Sequence, residues 1–305
     1  MSSPIRNIVV ATDFSDLAEA AAVRAASIAR LDGAAVHLVH AISFPRVAAP
    51  YGMPIPVGIG EGLRQAAEER MEQARKGVEA LGVVDATGSV RDASEPVEAI
   101  QEAVLRREAD LVVLGTHGRS GLRHTFLGSV AERTIRSSAV PVLAVKGSVA
   151  DAAEPLRRIL VAIDFSEDSE RALDATIGLA TRLEAAVDVV HAIEFPLIRL
   201  PDVYAAAFGV DLEQRIRDVA GEQLRGVERE FARSGITPTL HGRAGAAPEV
   251  IVAVAKEIGC QLIVMGTRGN TGLSHAFLGS VAERTLREAP CSVMTVTARE
   301  PREDA

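Results

Sequence analysis

Residues 8–15, Ile8-Val-Val-Ala-Thr-Asp13-Phe-Ser15, return 151 positions later as Ile159-Leu-Val-Ala-Ile-Asp164-Phe-Ser166. The same offset carries Val39-His40-Ala41-Ile42 onto Val190-His191-Ala192-Ile193, and Gly115–Thr134 onto Gly266–Thr285 with 15 of 20 residues identical. Self-similarity over such a period means two copies of one domain, which suits a 305-residue chain at roughly 150 residues per domain. The expected division is a first domain over 1–147, a linker over 148–157, a second domain over 158–298 and a frayed charged tail over 299–305. Linker composition covers Lys146-Gly-Ser-Val-Ala-Asp-Ala-Ala-Glu-Pro155, which lacks apolar periodicity.

Within each copy, short β-branched runs alternate with longer Ala-rich stretches of helical period. The first copy reads as strands at Asn7–Thr12, Ala35–His40, Val83–Val90, Leu111–Leu114 and Pro141–Val145. Helices fall between them at Asp16–Leu31, Leu63–Leu81, Glu95–Arg107 and Ser129–Ser137. The second copy has strands at Ile159–Ile163, Val187–His191, Ile236–His241, Leu262–Met265 and Ser292–Val296. This alternation implies an α/β fold with a parallel sheet covered by helices on both faces. Runs such as Leu111-Val-Val-Leu114 suit strands buried on both sides, and with 3% aromatics and no Trp the core must come from Val, Ile, Leu and Ala.

Lys plus Arg (33) against Asp plus Glu (41) gives a net charge of −8, so no nucleic-acid footprint is expected. The apolar run at the N-terminus is interrupted at Asp13 and is too brief for a signal peptide, and no stretch reaches the ~18 apolar residues of a membrane helix. A cytoplasmic protein without membrane contact is expected. Cys260 and Cys291 stand where the first copy has Ala109 and Val142, which favours small buried hydrophobes over a redox or disulfide role.

In an open sheet of this kind, ligands sit beyond the carboxyl ends of the strands where strand order reverses. For the order 3-2-1-4-5 that place lies between strands one and four, and the least ordinary polar residues follow those two strands. Thr12-Asp13-Phe14-Ser15 follows strand one; Gly115-Thr-His-Gly118-Arg-Ser-Gly121 follows strand four and runs on to Gly128-Ser129. The second copy repeats the glycines at Gly266, Gly269 and Gly279, with Ser280 next. Glycines admit backbone N–H groups to an anion, and a helix opening at Ser129 aims its unpaired amides there. Arg119, Arg123 and His124 add local positive charge. The competing reading is tight turns and close helix–sheet packing; duplication at identical spacing favours the anion site. Asp13 and Asp164 read equally as helix caps or as ligand-facing groups.

Other chemistries lack their signatures. There is no Gly-x4-Gly-Lys-[Ser/Thr], the glycine loop follows the fourth strand and not the first, no Ser-Gly-Gly-x-Asp-Ser follows strand one, and no metal cluster is evident. His37 and His40 fall on opposite faces of a strand, and Asp188 replaces His37 in the second copy. His40 and His191 read as strand-end residues, His124 and His275 as loop positions. Glu132 and Glu283 read as helix-surface partners of Arg136 and Arg287, so no general base is evident.

These residues together resemble the universal stress protein family in its tandem two-domain form: the Asp-Phe-Ser signature after strand one, the Val-His ending of strand two, Asp-Leu-Val-Val-Leu-Gly, and the glycine loop ending Gly-Ser-Val-Ala-Glu-Arg-Thr. The resemblance implies an open sheet in the order 3-2-1-4-5, Rossmann-like and of the adenine nucleotide alpha hydrolase type, and an ATP binder. It implies that Ala11, Thr12 and Asp13 border adenosine, Ala41 lines the adenine slot, and Leu114 and Gly115 hold the ribose side. Gly118, Gly128, Ser129 and Val130 would receive the phosphates beside Arg119, with Mg²⁺ coordinated mainly by phosphate oxygens. The second copy offers Ala162, Ile163, Asp164, Ala192, Met265, Gly266, Gly269, Gly279, Ser280 and Val281.

The copies differ. Thr12 becomes Ile163, Arg119 becomes Asn270, Arg123 becomes Ser274 and His117 becomes Arg268. Each arginine lost from phosphate would remove on the order of 1.5–3 kcal/mol, so tighter triphosphate binding is expected in the first copy. The loops Ser43–Gly60 and Glu194–Asp211 are long; their apolar residues (Tyr51, Met53, Ile55, Val57; Leu197, Ile198, Tyr204, Phe208) suggest a lid or an interface with a protein partner of unknown identity. The last strands resemble those by which family domains pair edge to edge, here within one chain, and a homodimer of chains is compatible with this. The expected function is a nucleotide-dependent regulatory or protective switch in stress; a slow ATPase or self-phosphorylating enzyme, and a scaffold that binds no nucleotide, are the alternatives.

Overall fold

The structure, a computed structural model, describes residues 4–43, 59–117, 127–194, 202–269 and 278–297. The chain divides into two compact units, with the boundary in sequence falling between Pro155 and Leu156. In the first unit the elements run β1 (Asn7–Ala11), α1 (Asp16–Asp32), β2 (Ala35–Ile42), α2 (Ile59–Ala80), β3 (Ala86–Asp92), α3 (Pro96–Arg106), β4 (Leu111–Gly115), α4 (Ser129–Ser137), β5 (Val142–Val145) and α5 (Val149–Ala153). The second unit runs β6 (Arg158–Ala162), α6 (Glu167–Leu183), β7 (Ala186–Ile193), α7 (Asp202–Arg233), β8 (Thr239–Ala244), α8 (Ala247–Ile258), β9 (Leu262–Gly266), α9 (Ser280–Glu288) and β10 (Ser292–Val296).

Each unit has a five-stranded parallel sheet in the expected order. In the first, β1 pairs with β2 (Val9↔His37) and with β4 (Val9↔Val112), β2 with β3 (Val39↔Ser89) and β4 with β5 (Val113↔Leu143). The second repeats this, with β6 between β7 and β9, β8 beside β7 and β10 beside β9. Helices α1 and α2 pack together over the sheet, and α3 with α4 likewise. The central strands are closed to water: Val9, Val10, Val112 and Val113 are each 0% exposed, as are Leu160, Val161, Ile263 and Val264. Branched aliphatics dominate these strands, because both faces of a parallel strand are covered.

The element ends show what local sequence adds. Ser15 and Ser166 cap α1 and α6 through bonds from the Ala18 and Ser169 amides. β3 starts at Ala86 and not at Val83, because the chain turns at Gly82 (φ 90) and leaves Val84 fully in solvent. β8 starts at Thr239, since Pro238 has no N–H to give a ladder. α7 begins at Asp202, so Tyr204 and Phe208 stand on a helix and not in the expected loop; Tyr51, Met53, Ile55, Val57, Leu197 and Ile198 lie outside the described residues. Residues 149–153, which read as linker, form α5, closed by a capping box between Ser148 and Asp151. Arg24, 4% exposed, holds α5 by donating to Asp151 O and Glu154 O at 2.8 Å each.

Candidate functional site

Each unit builds one side of a cleft from the turn leaving its first strand. After Ala11 the chain passes Thr12 and Asp13 and reverses at Phe14, whose φ of 61° lies in the left-handed region that bulky residues avoid. Four contacts hold it there. The Phe14 amide donates to Thr12 Oγ1 at 3.0 Å, Asp13 Oδ1 accepts from the Ser15 amide at 3.1 Å and from Ser15 Oγ at 2.6 Å, and the Phe14 ring lies 4.4 Å from that of His40. His40 Nδ1–H donates to Thr12 O at 2.7 Å, which sets its tautomer. The second unit repeats the strained Phe165 (φ 62), the Asp164–Ser166 bonds at 3.1 and 2.5 Å, the His191–Ile163 O bond at 2.9 Å and the Phe165–His191 contact at 4.7 Å. Ser15 and Ser166 are therefore the helix caps, and Asp13 and Asp164 brace them from the cleft side. The Thr12 hydroxyl supports the turn, a role Ile163 cannot fill.

The other side comes from the turn after β4. The Thr116 amide donates to Val145 O at 3.1 Å, Gly128 N–H to Thr116 O at 2.7 Å and Glu132 N–H to Gly128 O at 2.9 Å, the first bond of α4. The amides of Ser129, Val130 and Ala131 precede that bond, so the helix leaves them without acceptors. In α9 the Gly279–Thr267 O and Glu283–Gly279 O bonds, both 2.9 Å, leave Ser280, Val281 and Ala282 in the same position.

The glycines act largely through space. A Cβ on Gly128 would stand 3.1 Å from Thr116 O and 3.2 Å from His117 Cα, and one on Gly279 would stand 3.0 Å from Thr267 O. Gly115 and Gly266 admit Leu17 and Asp168 of the helices packed above them, with a Cβ 2.8 Å from each. Gly128 spends its own amide on Thr116, so its part is to let α4 begin close to β4. Gly269 differs: a Cβ there would run into the Asp164 carboxylate, which places the acidic turn and the glycine loop of the second unit against each other.

Ala11, Thr12, Asp13, Ala41, Leu114, Gly115, Gly128, Ser129 and Val130 all line one cleft of about 260 Å³. Ala162, Ile163, Asp164, Ala192, Met265, Gly266, Gly269, Gly279, Ser280 and Val281 line its counterpart of about 530 Å³. The second falls within the roughly 300–1,000 Å³ of small-molecule sites and the first just below it. Gly118, Arg119, Arg123, His124 and His275 lie outside the described residues. Sequence reasoning passed over the apolar wall, Pro96, Ala99 and Ile100 of α3 and Pro248 and Ile251 of α8; the signal was a proline opening the helix after the third strand in each copy. It also passed over Asp168. This carboxylate, 4% exposed, accepts from Thr267 Oγ1 (2.8 Å) and from Arg268 through its amide (3.1 Å), Nε (3.1 Å) and Nη2 (3.0 Å). The extra cation of the second cleft is thus neutralised in place, whereas the first unit has Leu17 and His117 there. Glu283 pairs with Arg287 at 2.7 Å. Among the described residues no group of three or more His, Cys, Asp or Glu is arranged to hold a metal ion, and no helix is long and apolar enough to cross a membrane.

Comparison with known proteins agrees with this architecture. The chain is 29% identical over 302 residues to a universal stress protein of Mycobacterium bovis, covering 96% of this chain and 98% of that one. A universal stress protein of Mycolicibacterium smegmatis is 27% identical over 298 residues, with 96% and 97% covered. Among solved structures, a universal stress protein from Archaeoglobus fulgidus superimposes with a TM-score of 0.70 at 23% identity over 95% of this chain and 96% of that one, a likeness of fold. The family model described as the universal stress protein family matches twice, over residues 4–146 and 155–297. The chain therefore belongs to the universal stress protein family, in a tandem form with two domains.

Proposed function

We propose that each unit binds an adenine nucleotide, ATP, in the cleft between its first and fourth strands, and that occupancy sets the state of a cytoplasmic regulatory or protective switch in the stress response. The observation that carries this reading is the meeting, at the carboxyl ends of β1 and β4 and of β6 and β9, of a braced acidic turn with a helix N-terminus whose first three amides lack helical acceptors. Such an end suits phosphate. The apolar wall of Pro96 and Ile100, or Pro248 and Ile251, suits a purine face, and Asp13 and Asp164 suit hydroxyl donors of a ribose. No cluster of metal-ligating side chains converges here among the described residues, so Mg²⁺ arriving with the nucleotide would draw its ligands mainly from phosphate and water.

Native mass spectrometry of the chain with MgATP tests this. Two nucleotides per chain are expected at saturation, one after Gly128→Val and one after Gly279→Val, because a side chain at either position displaces the helix start from β4 or β9. Circular dichroism shows whether each variant keeps its fold. Folded protein that takes up no nucleotide at millimolar MgATP would refute the reading.

A further inference from the structure

The second unit brings the protein's two thiols together at the end of the sheet opposite the cleft. Gly259 ends α8 in the left-handed conformation (φ 61), and Cys260 follows it, its amide bonded to Ala255 O at 3.3 Å. Cys291 immediately precedes β10, which runs parallel to β9 with Ser292 opposite Leu262. Continuing that register back one residue sets Cys291 beside Gln261. Cys260 is then one step along the neighbouring strand, a diagonal of about 5.8 Å from ordinary strand spacing and rise. That falls inside the roughly 4.4–6.8 Å Cα separation of disulfides. The side chains meet: Cys260 Sγ and Cys291 Sγ are 3.7 Å apart, with Cys260 buried and Cys291 half-buried.

Packing alone does not call for sulfur here. The first unit closes the same place with Ala109, 6% exposed, and Val142, 1% exposed. The charged neighbours bear on reactivity: hydrogen bonding from Cys291 holds the Cys260 thiol below the ordinary value against the effect of burial, and the Arg158 guanidinium favours the thiolate while Asp188 opposes it. The thiolate is the reacting form.

From this geometry we propose that Cys260 and Cys291 are a redox-active pair that closes to an intramolecular disulfide when a hydroperoxide is the oxidant. Each thiol gives up its hydrogen and one S–S bond forms. The O–O bond of the hydroperoxide breaks and takes both hydrogens, leaving water and an alcohol, or two waters from hydrogen peroxide. The bond would close the chain between Cys260 and Cys291, which contains β9 and α9, and so restrict the freedom of that span in the unfolded chain. The first unit has no such staple.

The reduced full-length chain is treated with hydrogen peroxide, denatured, alkylated and weighed. The expected product is a monomer that has lost two hydrogens and takes up no alkylating agent, with Cys260 and Cys291 in one linked peptide and both thiols recovered by dithiothreitol. In Cys291→Val, the first unit's residue at that place, the remaining thiol should react at least tenfold more slowly or stop at oxygen adducts. Two alkylatable thiols after peroxide, independent oxygen adducts on each cysteine of the wild type, or disulfides only between chains would overturn the proposal. Because it concerns thiols alone, its outcome does not depend on nucleotide binding.

Discussion

His37 faces Thr87 and Ser89 across the β2–β3 ladder, its Nδ1 2.8 Å from Thr87 Oγ1 and its Nε2 2.9 Å from Ser89 Oγ. Burial, then the charges of Arg107 and Arg91, hold it well below its ordinary value of 6.5, at about 4. The unfolded chain therefore takes up a proton between pH 6.5 and about 4 that the folded chain refuses, so stability falls as pH drops through that window and levels off below it. One proton sets an upper limit of about 1.4 kcal/mol per pH unit, lowered by solvent screening. His37→Gln keeps partners for both hydroxyls and should flatten the slope when urea midpoints are compared at pH 7, 5.5 and 4; equal slopes in both proteins would refute this account. The second unit solves the same place with Asp188, 0% exposed, held by Arg158 at 2.7 Å and His241 at 2.8 Å. Composition and spacing reveal the exchange of His37 for Asp188. They do not reveal the partners, which come from neighbouring strands more than 25 residues away.

Helices α1 and α6 have the same length and the same serine cap, yet they end differently. Both finish on a left-handed residue: Gly33 at φ 69 in the first unit, Glu184 at φ 52 in the second. Nothing lies within 4 Å of a Cβ placed on Gly33, so the preference for glycine is purely conformational. An L-residue in that region costs on the order of 1 kcal/mol, and an acid after a helix end also opposes the macrodipole. Glu184→Gly should stabilise the second unit by roughly 0.5–1 kcal/mol after the extra unfolded entropy of glycine is subtracted, and Gly33→Ala should destabilise the first by about as much. Thermal unfolding checks both; shifts of the same sign would count against the conformational account. The strands were legible because buried parallel strands are written as continuous aliphatic runs, and Ser292–Val296 appears with the ends expected of it. α5 was not, since five residues carry less than two turns of period and Arg24, which anchors them, lies more than 120 positions earlier.

Across the whole chain, duplication was the most readable feature, and divergence between the copies the least. At the 151-residue offset Arg268 stands in place of His117, the exchange sequence reasoning noted, and Asp168 in place of Leu17, the one it passed over. The structure connects them, over 100 residues of sequence, as a bidentate pair in which Asp168 is nearly sealed from water. The guanidinium that Arg268 adds to the second cleft is thus already engaged by Asp168, and in a chain of net charge −8 the general field does not replace it. On the proposed nucleotide reading, Asp168→Asn keeps the shape and one acceptor but removes the carboxylate charge that Arg268 faces where it lines the cleft with Ser280 and Gly279. ATP affinity of the second cleft, isolated in a Gly128→Val background, should then rise about 3- to 10-fold by calorimetry. Unfolding stability should fall, because a buried pair has lost its charge balance. Unchanged affinity in a folded variant would mean that Arg268 serves the β9 turn alone, and that the two clefts differ through residues other than this pair.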